Sequence, residues 1–213
     1  MLQFLCTKDA TEMLTQRKNG VSYTCVNRQA IPATPQVWQW QLHAAKLARQ
    51  NVLVAMHVET RFAMIFIGLK KGDSTRLLHE FWQRLRQHLS EMSSEFSGLP
   101  PSQIASLLST LQENHTATEF HTSSNRSVQA HINEVLFQSR LAIQEIGCTP
   151  DPSEQAEIFD DFINKMLRRI AGGDYFYPAE AMLLSFLREY AGFKEADLDV
   201  VGERVSAAKR REF

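Results

Sequence analysis

The chain has little cysteine. Three stand in 213 residues, Cys6, Cys25 and Cys148, and no two form a CxxC pair. An odd, scattered set excludes a disulfide framework and fits reduced thiols in a cytoplasmic protein. Cys6 and Cys25 read as core residues. Long apolar runs are missing too: none is long enough for a transmembrane helix. The start, MLQFLCTKDA, lacks the basic and apolar regions of a signal peptide. Charge of one sign is not in excess. The formal net charge is −1, so nothing global favours nucleic acid or an anionic membrane. P-loop, GxGxxG and GxSxG patterns are absent, and no cofactor is expected. No internal repeat or low-complexity segment is present.

What remains is an ordinary globular composition, 44% hydrophobic and 22% charged, enough for a sizeable core. Its centre is Asn51–Lys70, where Val52–Val58 and Phe62–Leu69 flank Glu59-Thr60-Arg61. Val, Ile, Phe and Met dominate both runs, as in buried strands. With Glu59-Thr60 as a two-residue turn, Met56 faces Ala63, Val54 faces Ile65 and Val52 faces Ile67. Both faces of this hairpin are apolar, so both need cover. The turn is not of the Asn-Gly type, which leaves a longer loop open. Val37–Leu47 alternates Trp38, Trp40, Leu42 and Ala44 with Gln39, Gln41 and His43. That period predicts a strand with one wet face and completes a meander over 37–69.

Upstream, Leu2–Cys6 reads as a strand that could join the meander. Thr7 caps a short helix over Lys8–Gln16 that Asn19-Gly20 stops; Val21–Val26 reads as a strand and Arg28–Gln36 as a loop. Downstream, Gly72-Asp73-Ser74 starts an amphipathic helix with Leu77, Phe81, Leu85 and Leu89 inward. Arg76, Glu80, Arg84, Arg86, His88 and Glu91 form its solvated face, and Ser93–Leu99 reads as loop. Pro101 opens a second helix. Thr116–Thr122 is a short strand, and Ser124, Asn125 or Ser127 caps a long helix. Asp151-Pro152-Ser153-Glu154 starts another helix, continuing through Ile158, Phe159, Phe162, Ile163, Met166 and Ile170 until Gly172-Gly173 breaks it. Glu157, Asp160, Asp161, Arg168 and Arg169 on that helix read as ordinary dipole-compensating charges. Pro178 opens the next helix, which ends at Ala191-Gly192-Phe193, and a last helix covers roughly 194–208. The expectation is α+β: a small antiparallel sheet covered by helices in residues 1–147, then a helical extension, 151–213, packed on the core or on a second subunit.

Candidate chemistry is sparse. His57 on an apolar run is either a rim histidine packed on Phe62 or a ligand or base. His115, Glu119 and His121 share one segment, with His131 on the next helix, but no known metal spacing is met and no metal is expected. Trp38, Trp40 and Trp82 are core packing or a ligand wall. Ser124-Asn125-Arg126-Ser127 offers free N–H groups beside an arginine, which suits a phosphate or carboxylate, or plain capping.

Several short segments together resemble a known family. They are Phe4-Leu5-Cys6-Thr7-Lys8, the strand with Trp38, Trp40 and His43, the Thr60-Arg61 hairpin, and Thr122, Asn125-Arg126-Ser127-Val128 and Ile132-Asn133-Glu134. This set is similar to a bacterial family of unknown function, over about residues 1–146. The chain departs from that pattern in having His57-Val58 where an asparagine often precedes the turn. The resemblance implies a small α+β domain with no established activity, cofactor or catalytic residues.

Two functions follow as expectations. One is a non-enzymatic binding protein of the bacterial cytoplasm, with its partner, or a second copy, on the C-terminal helices. The other is an enzyme for a phosphorylated or nucleotide-like molecule, with His43, His57, Arg61, Asn125, Arg126, Ser127 and Asn133 around one cleft. A third, nucleic-acid binding through Arg76, Arg84 and the tail Lys209-Arg210-Arg211, has less behind it.

Overall fold

A computed structural model describes residues 1–29, 37–146 and 155–210. Cys148, the Asp151–Glu154 helix start, most of the 28–36 loop and Arg211 lie outside the described residues. In chain order the elements are β1 (Leu2–Cys6), α1 (Lys8–Met13), β2 (Thr15–Lys18), β3 (Val21–Thr24) and β4 (Val26–Asn27). Then come β5 (Trp38–Leu47), β6 (Gln50–His57), β7 (Ala63–Ile67), α2 (Ser74–Phe96), α3 (Pro101–Asn114) and β8 (Thr118–Thr122). The C-terminal part holds α4 (Arg126–Ile146), α5 (Gln155–Asn164), β9 (Arg168–Arg169), β10 (Tyr175–Phe176), α6 (Pro178–Phe186) and α7 (Glu195–Lys209). A π-helical turn, Leu187–Ala191, extends α6.

The main sheet has the order β4-β8-β1-β5-β6-β7. The meander β5–β6–β7 is antiparallel, but β1 runs parallel to both β5 and β8, and β4 parallel to β8. The fold is α+β with a helical C-terminal part, and its sheet is mixed rather than wholly antiparallel. Register does not reveal itself in one strand's pattern: β1 is buried along its whole length, as a central strand must be.

The hairpin pairs Val52 with Ile67, Val54 with Ile65 and Met56 with Ala63, the register expected. Its loop is longer than two residues. The His57 N–H donates to the Phe62 carbonyl at 2.8 Å and the Arg61 N–H to the His57 carbonyl at 3.1 Å. Arg61 closes the loop at φ 60°, a left-handed conformation that costs a non-glycine residue energy. Asn19-Gly20 does not stop a helix; it turns β2 into β3. Here both residues have positive φ, as a tight hairpin turn requires.

Helices cover both sheet faces. Leu53, Ala55, Phe66, Trp40 and Phe4 pack with α2, α3, α6 and α7, while Val52, Val54, Met56, Ile65 and Ile67 pack with α4 and α5. Residues of α5, α6 and α7 thus belong to the same apolar clusters as the sheet. The expected wet face of β5 is covered at its middle, while Gln39 and His43 are half-buried. Gln41 is fully buried; its Nε2 donates to Gln129 Oε1 at 2.9 Å and its Oε1 accepts the Asn125 N–H at 2.6 Å. Cys25 is exposed, unlike the buried Cys6. Helix α2 runs to Phe96, through part of the expected loop.

The edge strand β7 carries the largest correction. Arg84 and His88 are buried, not solvated, and so is Asp160. Asp160 Oδ1 accepts the Ile65 N–H at 2.9 Å, and Asn164 both accepts the Ala63 N–H and donates to the Ala63 carbonyl, each at 2.7 Å. Arg84 donates to the Ile65 carbonyl at 2.7 Å and pairs with Asp160 Oδ2, which also faces His88 Nε2 at 3.4 Å. Asp160 thus works in the core, not at a helix dipole. Helix α5 ends at Asn164, and the chain from Arg168 forms a hairpin with Tyr175–Phe176 instead of continuing helical.

Asp160→Ala leaves a buried guanidinium without its anion. The expected loss is about 3–5 kcal/mol of unfolding free energy, read by urea denaturation. The double variant Arg84→Met/Asp160→Leu should lose clearly less than Asp160→Ala.

Candidate functional site at the hairpin tip

Alternation along β6 sends His57 to one face of the sheet, while the turned backbone at Arg61 sends its guanidinium to the other. The tip therefore builds two sites, not one.

On the first face His57 is wedged beside Trp38 and Trp40, with ring centroids 5.4 and 5.2 Å away. Its Nδ1 lies 2.9 Å from Thr60 Oγ1 and accepts the Thr60 N–H at 3.3 Å, so Nε2 carries the proton. Burial, helped by Arg61 and His115, lowers its pKa to about 3. His115 stacks on Trp38 at 5.1 Å and its Nε2 lies 2.6 Å from the Tyr190 hydroxyl, which the π-helical turn delivers. Burial holds the His115 pKa at about 4 and, with the Glu189 carboxylate, pushes the tyrosine's up. Trp38, His57 and His115 line a cleft of about 250 Å³ with Gln39, Glu59, Ser185 and Glu189. Both histidines are neutral at physiological pH. Trp40 and Trp82 belong to the aromatic packing around Trp38.

On the second face, buried Arg61 reaches α4. Nε donates to His131 Nδ1 and Nη2 to Ser127 Oγ, both at 3.1 Å, while Nη1 is buried without a partner among the described residues. His131 Nε2 donates to the Arg169 carbonyl at 3.2 Å, and burial lowers the histidine's pKa. Arg168 donates to the carbonyls of His131 and Ile163, and its Nε has no partner among the described residues. Burial lowers its pKa to about 10, against the pull of Glu134. Asn125 is the cap of α4, its Oδ1 accepting the N–H groups of Ser127 and Val128 at 2.9 and 3.3 Å. Arg126 is exposed. The arrangement is cationic, with two buried guanidinium groups and, among the described residues, no carboxylate hydrogen-bonded to either.

The other sequence candidates lie elsewhere. His43 contacts Thr7 Oγ1 at 3.0 Å, toward the far end of β5 from Trp38, and Asn133 is exposed and bonded to Gln129. His121 is buried and bonded to Glu119 at 2.9 Å, apart from His115 with its tyrosine. Among the described residues no group of three His, Cys, Asp or Glu could hold a metal ion. Arg168 was missed as a site residue, and no local signal marks it.

Two of the segments on which the family resemblance rests, Thr60-Arg61 and Asn125–Val128, thus meet in space through Arg61 and Ser127. An α+β domain with such a tip defines the class. The chain belongs to the family described as a domain of unknown function (DUF6933), which matches residues 3–181. The match runs past α4 and takes in β9–β10 and α5, the helix whose Asp160 and Asn164 bond the edge strand β7. No curated protein matches the chain.

Acid stability tests the buried histidines. Below the ordinary histidine pKa of 6.5, the unfolded chain takes up protons that folded His57 and His115 refuse. Stability should therefore fall as pH drops from about 6.5 toward 4, by up to about 1.4 kcal/mol per pH unit for each ring. In His57→Asn, whose amide oxygen can replace Nδ1 as acceptor, that slope should be shallower in urea titrations.

Proposed function

We propose that this is a bacterial cytoplasmic protein that acts by binding a protein partner, another chain or a second copy of itself, on the outer faces of α4 and α5. The supporting observation is exposed apolar surface. Phe137 and Leu141 on α4 are 55% and 40% exposed, and Ile158 and Phe162 on α5 are 72% and 50% exposed. Each pair has the i, i+4 spacing of one helix face. The opposite sides of the same helices, with Ile132, Val135, Phe159 and Ile163, already fill the core. Surfaces of this kind mark interaction sites. No helix among the described residues is long and apolar enough to cross a membrane, and the free thiol of exposed Cys25 suits a reducing compartment.

Light scattering during size exclusion is the test. The wild type should self-associate or hold a defined partner, and Ile158→Glu/Phe162→Glu should abolish that while keeping the monomer's stability within about 0.5 kcal/mol per surface change. A wild-type monomer that retains nothing from lysate contradicts the proposal.

A second reading, anion binding by an enzyme of phosphorylated substrates, is favoured by one observation: the Nη1 of Arg61 beside the α4 start, which has no partner among the described residues. Arg61, Asn125, Arg126 and Ser127 would hold the phosphate; His43 and His57 take no part, being at another end and on another face. Inorganic phosphate should then raise the melting temperature of the wild type and not of Arg61→Met. No shift in the wild type removes this reading.

A further inference from the structure

A second cleft, of about 270 Å³, opens between α2, α5, α6 and α7, and shares no lining residue with the hairpin-tip cleft or with the exposed apolar pairs of α4 and α5. Its floor is apolar: Phe62, Met92, Phe96, Leu183 and Val205. Two polar groups stand at its inner end. Asn164 is spent on Ala63, but His88 is held only through Nε2, by Asp160, which as a carboxylate accepts and so fixes the proton there. Nδ1 has no partner among the described residues. The rim is acidic. Glu91, Glu95, Asp161 and Glu180 face Lys165 and Lys209. Both lysines are engaged, Lys165 with Asp161 at 2.9 Å and Lys209 with Glu180 at 2.8 Å, and Lys209 also lies over the Tyr177 ring. Glu91 and Glu95, one turn apart on α2, have no cationic partner among the described residues; Glu91 only accepts from Gln87.

We propose that this cleft binds a small amphipathic organic cation, its apolar ring or chain on the floor and its ammonium group between Glu91 and Glu95. Charge complementarity selects the sign of the ligand, and the floor demands an apolar body. The volume lies just below the usual ~300–1,000 Å³ of ligand clefts, which limits the occupant to about one ring with a short arm. An anionic ligand would meet two unpaired carboxylates.

Three probes separate the components in calorimetric titrations of the full chain. Phenethylamine has ring and charge, phenylacetate has the ring with the opposite charge, and putrescine has charge without a ring. Phenethylamine should bind saturably at concentrations up to about 1 mM, the weak end of specific affinity. Phenylacetate and putrescine should bind at least roughly tenfold more weakly. Both glutamates are exposed, so Glu91→Gln/Glu95→Gln should fold normally and lose about tenfold in phenethylamine affinity. Ala179→Trp, which fills the cleft, should abolish binding. Absence of phenethylamine binding, equal binding of phenylacetate or putrescine, or indifference to the glutamine pair overturns the proposal.

Discussion

The fold depends on how one strand edge is closed. β7 is apolar on both faces, so it must lie inside the molecule, yet it is the last strand of its sheet and its outer backbone has no neighbouring strand among the described residues. Unpaired N–H and C=O groups in such a place are costly when buried and adhesive when exposed. Here side chains replace the missing strand. Asp160 and Asn164, one turn apart on α5, and Arg84 from α2 take the outward groups of Ala63 and Ile65. Because Arg84 and Asp160 also neutralise each other, polar closure and charge burial are one arrangement.

This closure links the C-terminal part to the sheet. A helix that supplies hydrogen bonds to a strand about a hundred residues earlier cannot be a loosely attached extension. The family match continues through α5 to residue 181. Beyond α5 the chain turns at Arg168, whose guanidinium bonds the Ile163 carbonyl near the end of the helix and the His131 carbonyl on α4. The second face of the hairpin tip is built on that junction.

Much of this was legible in the residues. The two apolar faces of the hairpin, its register, the Thr7 and Asp73 caps and the left-handed Gly192 all follow from local chemistry. What local chemistry could not supply was the partner of each polar group. Arg84 and His88 occur at the spacing of Leu77 and Phe81, so they sit on the inward stripe of α2 rather than its wet face, a signal present in the sequence but outweighed by their charge. Asp160 and Asn164 adjoin Phe159 and Ile163 in the same way. Gln41 alternates with tryptophans as an exposed residue would, and only α4 lying over it makes it buried. Parallel pairing of β1 is a long-range fact with no signature in five apolar residues. At the tip, Arg61 and Ser127 were both visible as candidates, but not that His57 would face the opposite side.

Amide hydrogen exchange of Ala63 and Ile65 tests the central claim most directly. If the side chains of α5 stand in for a strand, both amides should be protected to nearly the same extent as those of β6 in the wild type. In Asn164→Ala the Ala63 amide should exchange much faster while β6 stays protected. Rapid exchange of Ala63 and Ile65 in the wild type, at the rate of exposed loop amides, would contradict the account.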